Sequence, residues 1–245
     1  LSLADAVQFD TIHAYINGSY LKPTGGETFT NFFPGNNDPL GEVDVCLDEQ
    51  VNLAVAAAKQ AQRLWAKKTG VERGRVLLKA ASILRERNQE LATLEVWDTG
   101  KPICEAATVD VLSGADALEY FGSVAAGLKC DSYQLGDNFA YTIREPLGVV
   151  AGIGAWNYPL QIACWKAAPA LAAGNGMVFK PSELTPMTAP ILAEILMQAG
   201  APAGLFNVVQ GDHRTGELLT HHPEIAKVSL TGEVGTGRKV MAAAA

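Results

Sequence analysis

Apolar positions recur at helical spacing through the first half of the chain and collect into short runs in the second. In 49–64, Val51, Leu53, Ala54, Ala57, Ala58 and Ala61 fall on one helical face. Gly70 interrupts, and Val76, Leu77, Ala80 and Leu84 then predict a second helix over 72–87. A third, over 89–98, is stopped by Thr99-Gly100-Lys101-Pro102. A fourth runs from about 104 to 128, with Val109, Leu112, Ala115, Leu118 and Phe121 recurring. These stripes are core faces and carry no chemistry. Ahead of them, Asn17-Gly18 between apolar residues signals a hairpin over 14–20. The stretch 29–45 is turn-rich around Pro34-Gly35-Asn36-Asn37-Asp38-Pro39 and leads into a short strand at 42–46.

After Gly148 the rhythm becomes strict alternation. Strands are expected near 149–153, 177–180, 205–209 and 226–230. Helices are expected at 159–173, 187–199 and 215–221, with another opening near Gly235. Crossovers of this length join parallel strands with a right hand, so the fold class is α/β, a Rossmann-like doubly wound parallel sheet. Three parts follow: a hairpin and helical part over 1–130, a β segment over 131–148, and the sheet core over 149–245. Residues 134–143 alternate like an exposed strand, either a surface hairpin or an arm that pairs with another subunit by strand addition.

The 245 residues can bury a sizeable core, and 48% apolar with 18% charged residues is a globular composition. The net charge of −7, with no basic run, argues against a nucleic-acid surface. No apolar run reaches the length of a membrane span, and the opening LSLADAVQFD carries no cationic leader. A soluble, cytoplasmic protein is expected. Cys46, Cys104, Cys130 and Cys164 lie far apart without a C-x-x-C pair, which disfavours zinc and reads as reduced, packed thiols. The adjacent His221-His222 has no partner acid at ligand spacing.

The chain is organised around 148–174. Val149-Val150 opens a buried strand, Gly152 and Gly154 allow a sharp turn and close approach to a ligand, and an apolar helix then runs to a glycine C-cap at Gly174. A strand, a glycine turn and a helix N-terminus together make an anion or dinucleotide site. The fingerprint is incomplete: Gly152-Ile153-Gly154-Ala155-Trp156-Asn157 begins like G-x-G-x-x-G, but Asn157 stands at the third glycine. Lys180-Pro181-Ser182-Glu183 follows the second strand, where an acid holds ribose hydroxyls and Glu183 would repel a 2′-phosphate; a solvated turn pair is the bland alternative. The third element is the glycine-rich turn 231–237 after the fourth strand. Three such turns at the ends of one sheet are a far stronger signal than any one.

GAWNYP, FKPSELTP, GLFNVVQG and SLTG, each in order and at family spacing, resemble the aldehyde dehydrogenase superfamily, with D-T-G-K and R-E-P-L-G-V extending the likeness over nearly the whole chain. The betaine aldehyde dehydrogenases are the most similar branch. The resemblance implies NAD as cofactor, a small aldehyde as substrate, and a homo-oligomer, dimer or tetramer, paired through the β arm. It implies that Asn157 donates its carboxamide to the oxyanion, a role that a helix N-cap does not exclude. It also implies cofactor contacts at Gly154, Ala155, Trp156, Lys180, Pro181, Ser182, Glu183, Gly211, Gly232, Glu233, Val234, Gly235 and Thr236. Lys166, otherwise a plain helix lysine, is similar to a member of the active-site charge network. Tyr158 and Trp165, seven positions apart on one helical face, resemble half of an aromatic box for a trimethylammonium group; core packing is the alternative for Trp165. Asn31 and Asp98 match residues near a monovalent cation, K+ or Na+.

Two departures stand out. Glu233 replaces a small residue near the cofactor phosphate, where a carboxylate would repel pyrophosphate unless it turns away. The family's general-base glutamate and nucleophilic cysteine lie downstream of the position equivalent to Ala245, and none of the four cysteines sits in a matching motif. The chain by itself is therefore expected not to oxidise aldehydes; the competing readings are a non-catalytic nucleotide-binding or subunit-pairing module and, within the resemblance, another aminoaldehyde dehydrogenase.

Overall fold

A computed structural model of the chain describes residues 11–21 and 26–245; the opening LSLADAVQFD stretch lies outside them. After β1 (Thr11–Ile12), β2 (Ala14–Ile16) and β3 (Ser19–Leu21) form the expected hairpin. Asn17 and Gly18 turn it at φ 51° and 83°, the left-handed pair that a type I′ turn requires. The next stretch holds two strands where one was expected: β4 (Thr28–Phe32) pairs with β5 (Pro39–Asp44), and the turn is confined to 33–38 between them.

Helix α1 (Asp48–Trp65) follows, with Asp48 and Glu49 in its first turn, where carboxylates complement the helix dipole. Helix α2 (Gly70–Glu86) begins at Gly70, so that glycine opens the helix and does not merely interrupt the chain. Thr69 and Glu72 cap each other reciprocally there: the Glu72 N–H donates to the Thr69 hydroxyl at 3.2 Å, and the Thr69 N–H to the Glu72 carboxylate at 2.7 Å. Helix α3 (Asn88–Thr99) ends at Gly100 in the left-handed conformation, φ 72°. The predicted fourth helix is a composite. Helix α4 (Ile103–Glu105) leads into a π-turn (Ala106–Asp110), then α5 (Val111–Val124) and a 3₁₀ turn (Ala125–Gly127). A hairpin of β6 (Ser132–Leu135) and β7 (Asn138–Tyr141) stands out with every residue exposed.

The alternating half follows the expected order: β8 (Val149–Ile153), α6 (Pro159–Ala172), β9 (Gly176–Lys180), α7 (Thr188–Ala199), β10 (Phe206–Val208), α8 (His213–Thr220), β11 (Ile225–Leu230) and α9 (Val234–Ala243). Pro169 lies inside α6, which carries on past it to a glycine end at Gly174, φ 89°. The main sheet has the order β11-β8-β9-β10-β2-β3, with β11, β8, β9 and β10 parallel. The N-terminal hairpin adds to it antiparallel, Tyr15 opposite Val208, an extension that the local pattern gave no sign of. Strands β1, β5 and β4 form a separate small sheet.

Side chains alternate across the main sheet, as the pleat demands. Tyr15, Val150, Met177, Phe179, Phe206 and Val208 belong to the core shared with α2, α3, α5, α6 and α7. Ala14, Ile16, Val149, Ala151, Val178 and Val209 belong to the core under α1 and α8. The first 130 residues and the last 97 thus contribute to both cores. Gly152 and Gly154 answer to this packing. Neither adopts positive φ, and an added Cβ would come within 2.8 and 2.9 Å of the Phe179 ring. Their missing side chains make room for Phe179, and β8 continues through Gly152, where a sharp turn was expected. No helix among the described residues is long and apolar enough to cross a membrane.

Candidate functional site

The chain runs from β8 outward to β9 and β10, and α8 then returns it to β11 on the other side of β8. That reversal creates a crevice beyond the carboxyl ends of the strands, the place where open α/β sheets bind ligands. A cleft of about 1040 Å³ lies there, over Ile153, Lys180 and Leu230 at the ends of β8, β9 and β11.

The loop after β8 supplies Gly154, Ala155, Trp156 and Asn157 to the cleft. Its start is pinned to the neighbouring strand by the Gly154 N–H, which donates to the Lys180 carbonyl at 2.9 Å. Trp156 and Asn157 are both exposed. The N-cap of α6 is Tyr158, with Pro159 opening the helix, and no side chain caps it. The N-cap reading of Asn157 is therefore incorrect: proline at the first helical position needs no donor partner, and the cap shifts one residue along. Among the described residues the Asn157 carboxamide makes no hydrogen bond and is left to face the cleft.

The loop after β9 supplies Lys180, Ser182 and Glu183. The Lys180 ammonium is buried and meets the half-exposed Glu183 carboxylate at 3.2 Å. Burial pulls the Lys180 pKa below the ordinary lysine range, partly offset by Glu183. The third wall is Thr231, Gly232, Glu233 and Thr236 at the start of α9. Glu233 has turned back onto its own helix. Its carboxylate accepts from the Gly235 N–H at 2.7 Å and the Thr236 N–H at 2.9 Å, which holds its pKa below the usual carboxylate range. The group thus occupies the N–H donors that a phosphate would seek.

Helices α8 and α9 complete the cleft with Asp212, His213, Glu217, His221 and Lys239; of these the sequence drew attention only to His221, and only as half of a histidine pair. The only available signal was position, since a helix following a strand end must overhang the crevice. Pro181, Gly211, Val234 and Gly235 are not wall residues. Gly211 has φ 136°, and a Cβ there would strike the Thr215 hydroxyl, so its glycine serves the backbone path.

Tyr158, Trp165 and Lys166 lie outside the cleft wall. Lys101 sets its ammonium 4.0 Å from the centre of the Tyr158 ring, and the Tyr158 hydroxyl donates to Glu105 at 3.4 Å. Trp165 is 52% exposed, whereas Lys166 beside it is buried and donates to the Ser229 hydroxyl at 3.1 Å. Desolvation pushes the Lys166 pKa down to about 8. Asn31 and Asp98 meet away from the cleft: the Asn31 amide and the Met187 N–H donate to the two Asp98 oxygens at 3.0 and 2.8 Å. Burial lifts the Asp98 pKa to about 7. Cys46 and Cys164 are buried and Cys104 and Cys130 exposed, and no cysteine lines the cleft. Burial raises the Cys46 thiol to about 12 and lifts the Cys164 thiol as well.

Fold and crevice together define a doubly wound α/β protein with a nucleotide-sized cleft at its switch point. Residues 20–245 match the aldehyde dehydrogenase family, and the chain belongs to that family. It is similar to an indole-3-acetaldehyde dehydrogenase solved with NAD+, at 36% identity and TM-score 0.92 over 95% of this chain and 48% of that one. PnpE from Pseudomonas sp. WBC-3 is 37% identical, TM-score 0.92, over 96% and 48%. An E. coli NADP-dependent enzyme is 35% identical, TM-score 0.92, over 96% and 49%. The chain thus spans about half the length of these solved relatives.

Proposed function

We propose that the intact protein oxidises an aldehyde to its acid with NAD, and that this chain supplies the cofactor site and the oxyanion donor. One observation carries the reading: the unbonded Asn157 carboxamide and the Lys180–Glu183 pair line one cleft at the switch point. NAD, when bound, accepts the hydride. Lys180 and Glu183 hold the ribose hydroxyls, and Glu183, through its charge, disfavours a 2′-phosphate and hence NADP. The walls at Gly154–Trp156, Ser182, Gly232, Glu233 and Thr236 cradle the rest of the cofactor, with Pro181, Gly211, Val234 and Gly235 shaping the backbone behind them. Asn157 donates to the oxygen that becomes negative when a thiol adds to the aldehyde, a role worth about 3 kcal/mol. The attacking thiol is not one of Cys46, Cys104, Cys130 or Cys164, so the 245-residue chain alone turns over no aldehyde.

The substrate is a quaternary ammonium aldehyde of the betaine type. Tyr158 and Trp165 present aromatic faces along α6, and a trimethylammonium group, which cannot donate a hydrogen bond, is held by such faces. The Lys101 ammonium already sits over one face of the Tyr158 ring, so the substrate cation must use the opposite face. Lys166, the residue after Trp165, joins the active-site charge network of the intact enzyme; within this chain its ammonium donates to the Ser229 hydroxyl. Asp98, buried with two donors and no cationic partner among the described residues, suits K+ or Na+. The exposed β6–β7 hairpin, within the 131–148 segment, pairs subunits, giving a cytoplasmic homo-oligomer.

Steady-state NADH production by the full-length enzyme tests the reading. A kcat/KM for betaine aldehyde at least tenfold above that for a neutral aldehyde of equal size is expected, about 1.4 kcal/mol of cation–π discrimination. Equal values would remove the aromatic-box assignment. Absence of NADH with every aldehyde would remove the dehydrogenase reading itself.

A further inference from the structure

The turn that carries Asn157 is held by a lysine far from it in sequence. Lys101 follows Gly100, whose left-handed conformation swings the chain off the end of α3. Its ammonium donates to the Asn157 carbonyl at 2.7 Å and lies over the Tyr158 ring. The same ammonium is ion-paired with the fully buried Asp110 carboxylate. Asp110 is the last residue of the π-turn, where the Val111 N–H reaches back to the Ala106 carbonyl and the helix takes up an extra residue. Such turns are rare and occur often at functional sites. Behind Asp110, on α3, lies Glu95, also fully buried, with neither carboxyl oxygen partnered among the described residues. Burial, then the neighbouring Asp110, raises the Glu95 pKa well above the ordinary carboxylate value.

A buried ion pair is weak evidence for stability, because desolvation offsets most of its attraction. Here the ammonium also has a third contact outside the pair, on the backbone of the residue proposed to stabilise the oxyanion. Since the Asn157 carboxamide has no hydrogen bond of its own, its direction depends on how firmly the peptide between Asn157 and Tyr158 is held. The first helical bond, from the Ile162 N–H to the Tyr158 carbonyl at 2.9 Å, fixes one side of that turn, and Lys101 fixes the other.

We propose that Lys101 is a positioning residue, clamping the Asn157 carbonyl and the Tyr158 ring from a seat that Asp110 provides on the π-turn. The inference rests on the aldehyde dehydrogenase reading above. In the full-length enzyme, Lys101→Met is expected to lower kcat roughly ten- to hundredfold, the scale of loss that misplacing a catalytic group produces. Its NAD dissociation constant, read by calorimetry, should stay within about twofold, because Lys101 is not in the cofactor cleft. In an Asn157→Ala background the same substitution should add less than about twofold, since both changes remove one function. Wild-type kcat in Lys101→Met, or a fully additive loss in the Asn157→Ala background, would overturn the clamp. If Lys101→Met does not fold, Asp110→Asn, which leaves the ammonium without its anchor, carries the same expectation, and wild-type kcat there overturns it equally. Failure of the dehydrogenase reading is distinct: the unmodified enzyme would then produce no NADH, and the clamp would fall with it.

Discussion

Asn157 and Glu233 show how one residue type changes meaning with its neighbours. Asn157 stands where a dinucleotide fingerprint wants glycine, and its carboxamide caps nothing, because Tyr158 takes the N-cap position before Pro159. Glu233 stands where an anion is expected to bind and answers the conflict by capping α9 itself. The N–H groups of Gly235 and Thr236 are consequently already satisfied before any phosphate arrives. Glu233→Ser keeps a residue able to cap the helix but removes the charge. It should tighten NAD binding about fivefold, on the order of 1 kcal/mol, the size of a Coulomb term between close charges in water. Titration calorimetry at low ionic strength reads the change. An unchanged dissociation constant would mean that the cofactor phosphates do not approach α9.

At the scale of elements, most helices and parallel strands were legible because they bury a local stripe or run; β11 and α9 bury no residue. The composite helix was not. Periodicity over 104–128 carries no mark of the π-turn at Ala106–Asp110, since one extra residue rotates the apolar stripe without abolishing it. The β6–β7 hairpin is exposed along its whole length. Tyr133, Leu135, Phe139 and Tyr141 are each more than half exposed, and the Phe139 and Tyr141 rings stack on one another at 6.0 Å. Exposed apolar side chains on a free-edged hairpin are what an inter-subunit strand pairing would cover. Replacing residues 132–141 by a short glycine–serine link should lower the mass of the full-length protein in sedimentation to that of a smaller assembly or monomer. Retention of the parent mass would place the subunit contact elsewhere.

At the scale of the whole molecule, the sheet is closed on one edge by the N-terminal hairpin, and helices cover both its faces. Burial of polar groups within this body makes its stability depend on pH. Lys166 has a pKa of about 8 in the folded protein, against about 10.4 in an unfolded chain. Below about pH 8 both states hold the proton and the burial cost is fully present. Between about 8 and 10.4 the unfolded chain binds more protons, so this group makes stability rise with pH. Lys166→Met should therefore raise the thermal midpoint at pH 7 and flatten its rise between pH 8 and 10, as followed by circular dichroism. Parallel curves for the two proteins would show that Lys166 carries no such cost.

The sequence by itself determined the secondary structure of most of the chain, the doubly wound class, and the turns whose residues line the cleft. Those are local properties: spacing of apolar side chains, glycines at strand ends, and an Asn-Gly pair that turns one way. What only the tertiary structure decided are the contacts between distant segments. They include the addition of β2 and β3 to the main sheet, the packing of Gly152 and Gly154 against Phe179, and the contribution of α8 to the cleft. They also include Lys101, which reaches Asn157 across 56 positions of chain and is seated by an acid whose place depends on a π-turn. Burial explains the difference. An acid or lysine in a sequence reads as a solvated charge until the fold removes its water, and only then does its partner matter.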